Sequence, residues 1–244
     1  MRTIGVVLVL LFSSAVAAAQ APEPVVLPKP GFPAPARDVE PDGPRLELVS
    51  SRYVSPAVPP PALNPPPAFV PKRFRNAELQ FAIRRSPRIF LVYGGRYLVN
   101  VSTGPYAYDF VNYLRPPNGA WLEDIRWVRE RDDVLYIEHA HLTYANATRG
   151  RNAYISAIHR KTNKLLWRSP ALVANARTFV VSRDLIVSGY GFTAESDFLY
   201  LLDRRTGRVL DRLPVPSAPE VIKLRGDRLE VRTYDRQVVA RIVR

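Results

Sequence analysis

The 244 residues are 47% hydrophobic, enough for a core of ordinary domain size, and include no cysteine. The missing thiols exclude a disulfide framework, a thiolate metal centre, a cysteine nucleophile and lipid attachment at an N-terminal cysteine. A formal charge of +13, from 35 basic and 22 acidic residues, favours anionic partners such as phospholipid headgroups, acidic envelope polysaccharides or nucleic acid.

Residues 1–19 read as a secretory signal. Arg2 gives the positive start, Ile4 to Phe12 the apolar stretch, and Ala17-Ala18-Ala19 a small-residue cleavage site before Gln20. That run is too short to span a bilayer, so the chain is expected to be exported, to the periplasm or beyond. Sixteen of the 24 prolines then fall between Pro22 and Pro71. Proline fixes φ and lacks an amide donor, so residues 20–71 are expected to form an extended, solvated linker or tether. One proline-free island, Arg45 to Val54, alternates in part and is a candidate strand.

From Lys72 the texture changes to short alternating apolar runs. Candidate strands are Arg88 to Tyr93, Tyr97 to Val101, Val134 to His141, Tyr154 to Ile158, Thr178 to Val181 and Leu185 to Val187. They continue with Phe198 to Leu202, Val221 to Leu224, Leu229 to Tyr234 and Val238 to Val243. Their lengths and even spacing predict an all-β domain over 72–244. Glu78 to Arg84 fits either a helical turn or a strand.

Within this domain the segment from Ile158 to Leu166 aligns without gaps on that from Leu202 to Leu210, 44 residues later. That is close to the ~40–45 residues of a four-stranded propeller blade. Each copy reads strand, tight polar turn, strand. Gly207 supplies a residue with positive φ in one turn, and Asn163 tolerates the same conformation in the other.

These segments resemble the repeat of quinoprotein-like β-propellers. Ala157, Thr162, Lys164 and Trp167 carry the likeness in one copy, and Leu202, Asp203, Thr206, Gly207 and Arg208 in the next. Asp211 stands where a second tryptophan would be. Tyr97 to Gly104 is a fainter upstream copy, and Asp227 to Ala240 an incomplete one downstream. The resemblance implies a small or partial propeller of about four blade-like units. The last unit, from Glu220, has room for three strands. Either Leu46 to Val54 or Glu78 to Ile83 is expected to complete it and close the ring; the alternative is an open arc, or two chains completing each other. Relatives that bind pyrroloquinoline quinone have more blades, calcium-ligating acids and often a cysteine pair. This chain has too few blades and no cysteine, so no cofactor is expected, and the motif residues read as structural.

Candidate chemistry is sparse. His139 and His141, two apart on a predicted strand, share a face at a spacing that suits zinc or copper, with His159 as a third ligand. Leu135 and Ile137 continue that face, which reads equally as packing histidines. No serine sits in a nucleophile elbow, and no glycine-rich loop leads into a helix. Asp132-Asp133 and Glu195/Asp197 are acidic pairs near turns. The most informative polar feature is an acid-free stretch between Glu138 and Asp184 that holds Arg149, Arg151, Arg160, Lys161, Lys164, Arg168, Arg177 and Arg183. A second basic cluster runs from Lys72 through Arg84, Arg85 and Arg88. The first six of the former are the candidate partner-binding residues. Nearby aromatics (Tyr144, Tyr154, Trp167) read as core or rim packing, which argues against nucleic acid. The expectation is a non-enzymatic exported scaffold presenting its loops to an envelope protein, an anionic polymer or a membrane surface. The alternative, a hydrolase or lyase acting on an envelope polymer, calls for clustered carboxylates at one mouth of the propeller.

Overall fold

The computed structural model describes residues 22–27, 43–56, 70–85, 88–102, 104–114, 121–176 and 178–244. The signal segment and most of the proline-rich stretch lie outside the described residues. Three strands precede the first blade: β1 (Pro24–Val26), β2 (Arg45–Tyr53) and β3 (Arg73–Phe74). Blade 1 is β4 (Ala77–Arg85), β5 (Arg88–Tyr93), β6 (Tyr97–Asn100) and β7 (Tyr106–Asp109). Blade 2 is β8 (Asp124–Arg131), β9 (Val134–Ala140), β10 (Tyr154–His159) and β11 (Lys164–Arg168). Blade 3 is β12 (Val180–Val181), β13 (Leu185–Tyr190), β14 (Asp197–Asp203) and β15 (Val209–Val215). Blade 4 has three strands from its own stretch of chain, β16 (Pro219–Arg225), β17 (Arg228–Thr233) and β18 (Arg236–Val243). Its fourth is β2, antiparallel to β18 from Arg45↔Val243 to Tyr53↔Arg236.

The chain is thus an all-β propeller of four blade-like sheets. Of the two strands expected to complete the last blade, Arg45–Tyr53 does so, and the Glu78 segment is instead the first strand of blade 1. The alternation of each strand decides what its side chains meet. In β13, Leu185 and Val187 face blade 4 and pack with Leu229, Val231 and Val238. Ile186, between them, joins the cluster shared with blade 2, around Ile137, Ile155 and Trp167. The inner face of blade 1 joins that same cluster through Phe90, Val92 and Leu98. Its other face forms a separate cluster with Val70, Leu91 and Tyr97. Blade 1 also takes β1 in parallel along β7, and Leu27, just beyond, is fully buried with its N–H on the Asp109 carbonyl.

The 44-residue repeat is a repeat of geometry. The ladder slips between Ala157 and Ile158 in blade 2 and between Leu201 and Leu202 in blade 3, which are equivalent positions. Asn163 and Gly207 both have positive φ, 56° and 71°. Asp203 caps its turn by accepting the N–H groups of Arg205 and Thr206 at 2.9 and 2.8 Å. His159 takes that place in blade 2, its Nδ1 accepting from Thr162. Asn100 does so in blade 1, where it accepts the Ser102 N–H at 3.2 Å.

Four residues after each positive-φ turn residue, Gly104, Asn163 and Gly207, comes a contact to the following blade. The Tyr108 hydroxyl of blade 1 lies 3.0 Å from the Arg160 carbonyl in the turn of blade 2. The Trp167 indole of blade 2 donates to the Arg204 carbonyl in the turn of blade 3 at 3.1 Å. Asp211 of blade 3 accepts the Leu46 N–H of β2 at 2.6 Å. The missing tryptophan has a reason: its neighbour is a strand arriving from the amino-terminal part of the chain, with a free N–H to be satisfied.

Candidate functional site

In an antiparallel four-stranded blade, the connections between strands one and two and between three and four leave from the same end. The remaining internal connection leaves from the other. The first, or turn end, gathers Arg131, Asp132 and Asp133 of blade 2, Arg183 and Asp184 of blade 3, and Arg225 to Arg228 of blade 4. It also carries Arg160, Lys161 and Lys164 of blade 2 and Arg204, Arg205 and Arg208 of blade 3. A cleft of ≈ 890 Å³ opens there, with Arg88, Arg131, Ser182 and Arg225 bringing one residue from each blade to its wall.

Ion pairs stitch neighbouring blades together at this end. Arg88 of blade 1 meets Glu130 of blade 2 at 3.3 Å. Arg204 of blade 3 meets Asp132 of blade 2 at 2.8 Å, and Arg244 of blade 4 meets Asp184 of blade 3 at 2.6 Å. Cations also share acids: Arg160 reaches both Glu130 and Asp133, and Lys161 reaches Asp133 at 2.7 Å. Hydrogen bonds from Arg204, Lys161 and Arg244 hold Asp132, Asp133 and Asp184 below the usual carboxylate range, so all three are ionised. Acids are outnumbered nonetheless. Lys164, Arg183, Arg205, Lys223, Arg225 and Arg228 are exposed on the same end. Arg225 and Arg228 even face each other in the β16–β17 ladder, while Arg241, opposite Arg228 in the next, is paired with Glu47 at 2.6 Å. Directly opposed like charges cost stability.

The six candidate partner-binding residues divide. Arg160, Lys161 and Lys164 lie on the turn end. Arg149 and Arg151 are exposed at the opposite end, in the connection between β9 and β10. Arg168 is a correction: it is 4% exposed, and its Nε donates to Ser156 Oγ at 3.1 Å. The strand alternation that turns Arg168 inward is invisible in a count of charges along the chain. Arg177 and the side chains of Arg84 and Arg85 lie outside the described residues.

The histidine pair is likewise not brought together as a chelate. His141 lies past the end of β9, its backbone bound on both sides by the Asn152 side chain at 2.7 Å. His139 is wholly buried, with Nδ1 2.5 Å from Glu123 Oε2 and Nε2 2.9 Å from Ser156 Oγ. Among the described residues no group of three metal-ligating side chains gathers. Glu123, His139, Ser156 and Arg168 instead form a polar ladder across blade 2, one residue from just before β8 and one from each of β9, β10 and β11. Burial pushes the Glu123 carboxyl up and the His139 imidazole well down, so the imidazole is neutral. Serine, imidazole and carboxylate stand in the order of a nucleophile relay. All three are at most 1% exposed, however, and the Ser156 oxygen already accepts from Arg168, so a substrate has no approach. The ladder locks the blade.

No family model matches the chain, and no curated protein does. Similar solved structures include BamB from Moraxella catarrhalis, 14% identical over 66% of this chain, with a TM-score of 0.39. The chain spans 58% of that BamB chain. The computationally designed Ika4 protein is 12% identical over 71% of this chain and 94% of its own, with a TM-score of 0.43. Glutaminyl cyclase from Myxococcus xanthus is 11% identical over 70% of this chain and 76% of its own, with a TM-score of 0.40.

Proposed function

We propose that this protein is an exported, non-enzymatic binding scaffold that docks an anionic envelope partner on the turn end of its propeller. One observation carries the reading: the exposed Arg225 and Arg228 stand directly opposite each other in the β16–β17 ladder, an arrangement of like charges that costs stability until an anion neutralises it. The envelope-hydrolase alternative asks for free carboxylates at a mouth. Here Glu130, Asp132, Asp133 and Asp184 are all bound to arginine or lysine. Export rests on the amino-terminal sequence, and among the described residues no helix is long and apolar enough to cross a membrane. The quinoprotein type of the repeat is part of the same reading, supported by Trp167 seated on the turn that holds Gly207.

The test is sedimentation of the mature protein with phosphatidylglycerol vesicles and, in parallel, phosphatidylcholine vesicles. Binding to the anionic vesicles alone is expected, weakening as salt shortens the Debye length. The triple variant Arg205→Glu/Arg225→Glu/Arg228→Glu is expected to lose it. Equal binding to both vesicles, or an unaffected variant, contradicts the proposal. Export is checked by the mass of the native protein, expected to start at Gln20.

A further inference from the structure

At the opposite end, between blades 2 and 3, a second cavity of ≈ 830 Å³ opens to solvent. Its size is that of a small-ligand site. Tyr144, Tyr190, Phe198 and Tyr200 form aromatic walls. Tyr144 is 43% exposed and stands edge-on to Phe192, with ring centroids 4.7 Å apart. The Arg212 guanidinium lies 5.1 Å from the Phe198 centroid, which sets the cation on the aromatic wall. The carboxylate in the lining, Glu195, is occupied: Oε1 accepts the Ala145 N–H and Oε2 the Tyr190 hydroxyl, both at 2.6 Å. Asn146 and Ser196 stand exposed at the rim.

The backbone supplies a second, independent observation. Leu172 and Ala194, both in the lining, have φ of 61° and 66°. Side chains with a Cβ enter that region only at a cost, and a leucine there is an outlier. Strain of this kind persists where the surroundings hold it and gathers at ligand-binding walls.

We infer that this cavity binds an acidic sugar of the uronate type. Such a ring has an apolar face for the tyrosines and Phe198, hydroxyls for Asn146 and Ser196, and a carboxylate for Arg212. A guanidinium is well shaped to grip that carboxylate by two parallel bonds. A neutral sugar leaves the guanidinium without its anion, and a bare anion leaves the aromatic walls uncovered. The cavity shares no residue with the turn end, so the two proposals stand or fall separately.

Titration calorimetry of the mature protein with trigalacturonate, trimannuronate and a hyaluronan tetrasaccharide tests this, with maltotriose as the neutral comparison. At least one acidic oligosaccharide is expected to bind saturably, and maltotriose at least ~10-fold more weakly. Arg212→Ala and Phe198→Ala are expected to weaken the acidic ligand by ~10-fold or more while circular dichroism stays unchanged. The Arg205→Glu/Arg225→Glu/Arg228→Glu variant is expected to bind it as the parent does. The inference is overturned by any of four results: no saturable binding of the three acidic probes at millimolar concentration, equal binding of maltotriose, an unaltered Arg212→Ala variant, or an acidic peptide that binds as tightly as the best sugar.

Discussion

Gly207 sits beneath the Trp167 ring so closely that a Cβ would stand 2.2 Å from the indole, and its φ is 71°. Both the turn and the blade contact therefore require glycine. Gly207→Ala is expected to lower stability by about 1–3 kcal/mol in urea unfolding. The loss should shrink when Trp167 is replaced by leucine, because the two positions share one contact. Glu138 presents the opposite case, a wholly buried carboxyl with both oxygens lacking a hydrogen bond among the described residues. Desolvation raises it well above the usual carboxylate range, ahead of the opposing pull of Arg126 and Arg129. A folded value above the unfolded one gives stability that is full below about pH 4.3 and is lost as pH rises through the folded value. Glu138→Gln removes that loss. Its melting temperature should match the parent near pH 4 and exceed it increasingly toward pH 8; a constant difference across that range would argue against a titrating Glu138.

The strand Arg45–Tyr53 has one buried apolar anchor, Leu46 at 6% exposure, yet it supplies the outer edge of blade 4 along the whole of β18. Leu46→Ala is expected to cost about 2–5 kcal/mol. A chain beginning at Gly43 should unfold cooperatively. One beginning at Val70 leaves β18 as an uncovered edge and should self-associate in sedimentation velocity. The repeat in blades 2 and 3 was legible because its third and fourth strands, with the turn between them, are a local hairpin: turn residue, capping residue and packing aromatic lie within nine positions. Strand β8 was not, since Asp124–Arg131 reads as charge interrupted by Ile125, Trp127 and Val128, and burial alone distinguishes its faces. Nor was the ladder of Glu123, His139, Ser156 and Arg168. Its members are 12 to 17 positions apart and meet only through the register of blade 2.

At the scale of the molecule, the turn end is both seam and surface. Glu130, Asp132 and Asp184 join blade 1 to 2, 2 to 3 and 3 to 4, and the cations that outnumber the acids face outward. Solvent-facing pairs such as Arg244–Asp184 add little stability individually, so moderate salt should leave the melting temperature nearly unchanged while it abolishes anion binding. The sequence showed the surplus but not its place, because Arg160 and Arg204 lie 44 positions apart and reach the adjacent acids Asp133 and Asp132 only once the blades stack. The measurement that tests this most directly is hydrogen exchange of the mature protein, free and bound to its own envelope fraction. Docking on the turn end predicts new protection at residues 160–164, 204–208 and 225–228. Protection confined to 141–151 and 191–196 would put the partner on the other end and contradict it.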